Sequence, residues 1–298
     1  MTALSFFSSP ADFLAEAGDF LALDPVVNTV VASVTDRMVA QDAAGLAHAA
    51  ALPRWWVVTR DGAGRVTGVG MRTATLPPYP PYLLPMPEEA ARALGVAIAA
   101  RGEVLGRING VLDSALACAE GYTGHRGGAG RVDAHSRLFE CTRVSMPKLP
   151  AGRLRLATDA DAPLCLEWFR EFLAAADEQA GRPKGTRSDV VAHDLDDMRR
   201  RIAAESIHLW EAPGGEVVHL SAVNGPSFGV CRIGPVFTPT AHRGYGYASA
   251  TVALLTRRIL ESGARACLFT DQANPTSNAI YQALGYERVC DTGEVVID

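Results

Sequence analysis

Between Gly234 and Ala248 the chain reads Gly-Pro-Val-Phe-Thr-Pro-Thr-Ala-His-Arg-Gly-Tyr-Gly-Tyr-Ala. An apolar run ends, a glycine-bearing turn follows, and a helix-forming segment begins whose apolar positions Ala248, Val252, Leu255 and Ile259 are spaced four, three and four apart. A strand, turn and helix in that order aim several unpaired backbone N–H groups, and the positive end of a helix dipole, at one spot beyond the strand. Gly244 and Gly246 permit positive φ and close approach of the backbone to a ligand, and Arg243 adds a positive charge. The ligand such a site favours is a phosphate or pyrophosphate. Taken alone, the same residues also describe a tight turn that caps a helix.

A second constellation lies downstream, in Asp271-Gln-Ala-Asn-Pro-Thr-Ser-Asn-Ala-Ile-Tyr-Gln-Ala-Leu-Gly-Tyr286. Asn274 suits an N-cap, Pro275 the first helical position and Gly285 the C-terminal stop, so a helix of about ten residues is expected. Asn278 and Tyr281, three apart, then share one face of it.

The spacing of Arg243, Gly246 and Ala248 after Val236-Phe237-Thr238 resembles the coenzyme A loop of the GNAT superfamily, the GCN5-related N-acetyltransferases. The run from Asn274 through Tyr281 to Gly285-Tyr286 resembles the late helix of the same superfamily. The resemblance spans residues 153–298 and implies an α/β (α+β) fold, a mixed, mostly antiparallel sheet flanked by helices. It implies that acetyl-CoA is a co-substrate, with no metal, and that an acetyl group passes to a primary amine. Val236, Phe237 and Thr238 would then meet the pantetheine arm. Arg243, Gly244, Tyr245, Gly246, Tyr247 and Ala248 would hold the pyrophosphate, with Tyr245 and Tyr247 packing or lining the loop. Asn274 and Asn278 would orient the coenzyme, and Tyr281 would protonate the departing thiolate as a general acid. The alternative for Tyr281 is a partly buried aromatic that packs the helix on the sheet. Asp271, Glu211 and His219 are each candidates for a general base, and direct attack by a neutral amine needs none.

The elements that position these groups are legible in outline. A strand is expected over Leu154–Ala157, followed by a helix capped at Thr158 or Asp159 with Leu164, Trp168 and Phe172 on its apolar face. A second amphipathic helix is expected near Asp189–Ala204, then a hairpin. A strand over Val230–Phe237, a helix over Tyr247–Glu261, a strand over Arg265–Thr270, a short helix and two closing strands complete the half. Trp55 to Val58, Asp61 to Gly64 and Val66 to Met71 in the first half are echoed by Ile207 to Trp210, Pro213 to Gly215 and Val217 to Val223 in the second. Both sets read as strand, tight turn, strand, so two tandem copies of one fold are expected, residues 1–147 and 152–298, divided at the Pro147–Gly152 stretch.

The first half departs from the pattern. Its Leu76–Pro87 segment holds six prolines, none with an N–H to donate, so a degenerate domain without coenzyme is expected there. The glycine-rich run Gly121–Gly130, with Arg126, follows the Val111–Glu120 helix and reads as a flexible turn. Tyr79 and Tyr82 could wall an acceptor pocket or pack between domains.

With 298 residues, 48% hydrophobic and 20% charged, either half can bury its own core. Twenty-eight basic and 33 acidic residues, net −5, are scattered, which argues against a nucleic-acid partner. The N-terminus has acidic residues where a signal peptide has basic ones, and no apolar run reaches the length of a membrane span, so a cytoplasmic location is expected. The six cysteines lack metal-ligand spacing. The acceptor, a small molecule or a peptide amine, is left open, as is a homo-oligomer. Two other readings remain: a non-catalytic acyl-CoA-binding sensor or scaffold, and dinucleotide binding, for which the third glycine is missing.

Overall fold

A computed structural model describes residues 2–46, 53–184 and 192–298. The chain forms two compact units, Met1–Arg137 with Cys290–Asp298, and Leu138–Val289. In order, the first unit contains β1 (Ala3–Phe7), α1 (Pro10–Leu23), α2 (Thr29–Ala43), β2 (Trp55–Arg60), β3 (Val66–Arg72), β4 (Tyr82–Leu83), α3 (Glu88–Ala100), β5 (Arg107–Val111), α4 (Leu112–Arg126) and the start of β6 (Gly130–Cys141). The second contains the end of β6, then β7 (Arg153–Leu156), α5 (Ala162–Gln179), α6 (Leu195–Ala203), β8 (Ile207–Glu211), β9 (Val217–Ser227), β10 (Val230–Phe237), α7 (Tyr247–Glu261), β11 (Arg265–Asp271), α8 (Pro275–Ala283) and the start of β12 (Tyr286–Ile297). The remainder of β12 completes the first unit.

Strand order is β1-β2-β3-β4-β5-β12-β6 in the first unit and β12-β6-β11-β10-β9-β8-β7 in the second. In each, a parallel pair bridged by a helix, β4 with β5 through α3 and β10 with β11 through α7, sits among antiparallel neighbours. The expected hairpins are β2–β3 and β8–β9, and the echo between them extends to their irregularities. Each has a register shift at the last residue before its turn, Thr59/Arg60 and Trp210/Glu211, and each turn closes on a glycine in the left-handed region, Gly64 (φ 80°) and Gly215 (φ 83°).

Alternation along the strands assigns the cores. In β2, Trp55 and Val57 face the cluster built with Leu94, Ile98 and Cys118, while Trp56 and Val58 face Phe13, Leu21 and Met38. A strand buried on both faces needs apolar residues at every position, which is why Trp-Trp-Val-Val is unbroken. In β8, Leu209 packs with Trp168, Phe169 and Met198 below α5, and Trp210 packs with Ala250 of α7.

Several expectations are corrected. The helix before the glycine-rich run continues to Arg126 and takes in Gly121 and Gly124. Gly121 is there for close packing: a Cβ on it would lie 2.1 Å from the Arg92 carbonyl oxygen of α3, and one on Gly95 would lie 2.0 Å from that of Cys118. The second amphipathic helix, α6, starts at Leu195 behind the Asp194 cap, whose side chain accepts from the Asp197 N–H; residues 189–191 of the expected helix lie outside those described. The two closing strands are one, β12, twelve residues long and divided between the units. The units change over within β6 and β12, whereas Pro147–Gly152 connects β6 to β7 inside the second unit. No helix among the described residues is long and apolar enough to cross a membrane.

Gly121→Val should lower the free energy of unfolding by about 3 kcal/mol, because the added atoms meet backbone that has no room to yield. Gly124, which has nothing within 4 Å of its Cβ position, should give the opposite sign as Gly124→Ala, about 0.5–1 kcal/mol more stable. Denaturant titration of both variants checks the pair.

Candidate functional site

The parallel ladder between β10 and β11 runs from Val230 opposite Arg265 to Ile233 opposite Leu268 and stops. Beyond it β10 stays on β9, with Val236 opposite Ser221 and Phe237 opposite Leu220 after a shift in register. Gly234 to Phe237 therefore continue past the end of the β11 ladder. A crevice at the carboxyl ends of parallel strands is the usual ligand position in sheets of this kind.

The loop from Thr238 to Gly246 leads into α7 at this end. Gly244 (φ 86°) and Gly246 (φ 84°) both occupy the left-handed region, where a side chain would be strained, and the Cβ position of each faces open space. Gly246 is the N-cap of α7, and no side chain caps the first turn, so the leading N–H groups of Tyr247, Ala248 and Ser249 have no intrahelical acceptor. Arg243 donates from Nε to the Thr238 carbonyl at 3.1 Å and pairs with Glu178 at 3.6 Å. Tyr245 is mostly exposed and stacks on Tyr247, which packs on Trp210. Val236 is half-buried; Phe237 is buried against Trp168.

The polar residues of α8 are hydrogen-bonded within the protein. Asn274 is the N-cap: its Oδ1 accepts from the Ser277 N–H at 3.0 Å and its Nδ2 donates to Gln179 Oε1 at 2.6 Å. Asn278 Nδ2 donates to the carbonyls of Asp271, Gln272 and Asn274, tying the end of β11 to α8. Tyr281 is buried in the cluster that includes Ile233 and Leu268, the last paired residues of β10 and β11, with its ring edge-on to Tyr286. Burial pushes its phenol up to about 12, against a hydrogen bond with Ser277, so it stays protonated at neutral pH.

None of the three candidate bases presents a free basic atom. Asp271 pairs with Arg182, which also pairs with the fully buried Asp177 at 3.3 Å. Glu211 lies between Arg153 and Arg155, whose hydrogen bonds hold its carboxyl below the usual range. His219 is enclosed, with Nδ1 hydrogen-bonded to Thr238 Oγ1 at 2.7 Å and Nε2 to Ser221 Oγ at 2.8 Å. Burial drops its pKa to about 3, so it is a neutral imidazole that fixes Thr238 at the head of the loop.

The end of α5 supplies residues that the motifs do not reveal. Asp177, Glu178, Gln179 and Arg182 reach Asp271, Arg243 and Asn274 from one short segment. Acidic residues are unfavourable at a helix C-terminus, so Asp177 and Glu178 in the last turn of a predicted helix are a signal that cations lie outside it. Among the described residues no group of three or more His, Cys, Asp or Glu could hold a metal.

Residues 227–295 match the family model of FR47-like proteins. Solved structures share the fold over nearly the whole chain. A GCN5-related N-acetyltransferase from Sphaerobacter thermophilus is 14% identical, covers 99% of this chain and 94% of its own, and has a TM-score of 0.58. A tandem GNAT protein from the clavulanic acid biosynthesis pathway is 14% identical over 99% and 98%, with a TM-score of 0.58. A Drosophila protein is 11% identical over 99% and 98%, with a TM-score of 0.68. No curated protein matches the sequence. The protein has the GNAT fold. It carries that fold over a tandem length, with the FR47-like segment lying mostly in the second unit and spanning the β10–α7–β11–α8 site.

Because the unfolded His219 titrates near 6.5 and the folded one near 3, the unfolded chain takes up the proton first, and stability falls as pH drops below about 6.5. Between pH 6.5 and 5 the wild type should lose about 1–2 kcal/mol more than a His219→Gln variant. Urea unfolding at the two pH values measures the difference.

Proposed function

We propose that the protein is an acyl-CoA-dependent N-acetyltransferase that moves an acetyl group from acetyl-CoA to a primary amine. The observation that carries this reading is the uncapped N-terminus of α7, opened by Gly244 and Gly246, after β10 has left its ladder with β11. Val236 to Thr238 offer backbone to the extended pantetheine arm, and the loop from Arg243 to Ala248 receives the pyrophosphate once Arg243 exchanges Glu178 for it. Asn274 and Asn278 act through the turn they build, holding the end of β11 at α8, rather than as free ligands of the coenzyme.

In the reaction the amine nitrogen attacks the thioester carbonyl, a C–N bond forms, and the C–S bond breaks. The sulfur leaves with the proton of the Tyr281 phenol, and the proton released by the amine passes to solvent and returns the tyrosine to its neutral state. Its raised pKa keeps the phenol protonated at neutral pH, so the proton is in place when the sulfur departs. The pairing of Asp271, Glu211 and His219 with other groups favours an acceptor that arrives as the neutral amine.

The first unit is proposed to bind no coenzyme. Its segment between β4 and α3 is Leu-Pro-Met-Pro, and α3 opens with Glu88 and Glu89, which place negative charge where a phosphate would sit. The structure also favours one element of the sensor reading, since the Tyr281 hydroxyl is enclosed and bonded to Ser277. Turnover of an amine by the wild type, lost in Tyr281→Phe, separates the two.

Acetyl-CoA should bind at one equivalent per chain by calorimetry, and Gly246→Glu should abolish binding. Tyr281→Phe should keep the affinity for acetyl-CoA while lowering kcat with a responsive amine by about 100-fold. Absence of acetyl-CoA binding by the folded wild type removes the proposal; binding without turnover of an amine panel converts it to a sensor.

A further inference from the structure

The first unit has a cavity of about 660 Å³ at the ends of β1, β2 and β3 and the turn after α3. Its size is that of a small-molecule site. It shares no residue with the α7 loop. Phe6, Phe7, Trp55 and Val104 give it apolar walls, with the Phe6 ring edge-on to the indole of Trp55 at 5.4 Å.

The polar part of the lining is unbalanced. Among the described residues Glu103 is its one carboxylate, and three donors converge on it: Arg72 Nη1, Arg101 Nε at 2.6 Å and Trp55 Nε1 at 2.9 Å. Burial disfavours the charged form of Glu103, but these hydrogen bonds and the two guanidinium charges outweigh it and hold its pKa below the ordinary value. Two cations thus share one anion. Arg54, also in the lining, adds no excess because it pairs with Asp42. One positive charge is left over: Arg72, with a side chain only 5% exposed, is paired with Glu103, and the half-exposed Arg101 carries the surplus.

The donors left over are specific. Arg72 Nε is taken by the Tyr79 carbonyl at 3.1 Å and Nη1 by Glu103, which leaves Nη2 without an acceptor among the described residues. Arg101 uses only Nε, and its guanidinium lies over the Phe6 ring at 4.3 Å, so its two Nη groups are likewise unengaged among the described residues. A planar anion suits guanidinium donors of this kind.

We propose that this cavity binds a small monocarboxylate with an apolar body, the carboxylate between Arg72 and Arg101 and the body against Trp55, Phe6 and Phe7. A dianionic phosphate overshoots the single excess charge and leaves the apolar walls unused. The site is independent of the acetyltransferase reading.

Titration calorimetry of the whole protein with phenylacetate, its neutral isostere phenylacetamide and inorganic phosphate tests the assignment. Phenylacetate should saturate at one equivalent, with phenylacetamide at least tenfold weaker and phosphate not saturating. Arg101→Gln, at a half-exposed side chain, should weaken phenylacetate at least tenfold with the melting temperature retained. If that variant does not fold, Val104→Glu, at an exposed wall position, should produce the same loss by repulsion. The proposal is overturned if phenylacetate does not saturate, if the amide binds equally, if phosphate alone binds, or if the folded variants bind like wild type.

Discussion

The interaction on which the second unit's site depends is a backbone ladder that ends early. Four residue pairs join β10 to β11, and then the strands part company while β10 remains anchored to β9. Had the ladder continued, the backbone of Gly234 to Phe237 would be consumed by the sheet, and the first turn of α7 would face a filled edge. Its termination leaves backbone of β10 unpaired on the β11 side, next in the chain to the loop that ends at the uncapped N–H groups of α7. In the first unit the corresponding β4–β5 ladder has two pairs, and Gly110 of β5 leaves no room for a side chain against the Leu83 carbonyl of β4.

A group of contacts from the end of α5 ties the loop before α7 to β11 and α8. Asp177 and Asp271 share Arg182, Gln179 holds Asn274, and Glu178 meets Arg243. The elements they join are separated widely in the sequence, so the end of α5 couples the loop before α7 to the α8 cap. The charge of buried Asp177 is offset by Arg182 beside it.

Much of this was legible because it is local. The bounds of α7 follow from a glycine N-cap and a regular apolar stripe, and those of α8 from Asn274, Pro275 and Gly285, the last with φ of 94°. What was not legible depends on register between distant segments. His219 reads as a candidate base in sequence and proves to be a buried strut, because only the pairing of β9 with β10 sets it beside Thr238. Gly121 reads as flexible until Arg92 of α3 is placed against it. The sharing of Glu103 by Arg72 and Arg101 joins residues from a strand end and from the far end of a helix, and no spacing rule links them.

Strands β6 and β12 belong to both units, and this bears on the order in which the protein comes to be folded. The first unit includes Cys290 to Ile297, and β5 pairs with that stretch from Thr292 to Val296. On the ribosome those residues are made only after all of the second unit. The N-terminal unit, although synthesised first, therefore waits with its β5 edge open until translation has passed through the other, so the usual order of N-terminal domain first is reversed for its final strand.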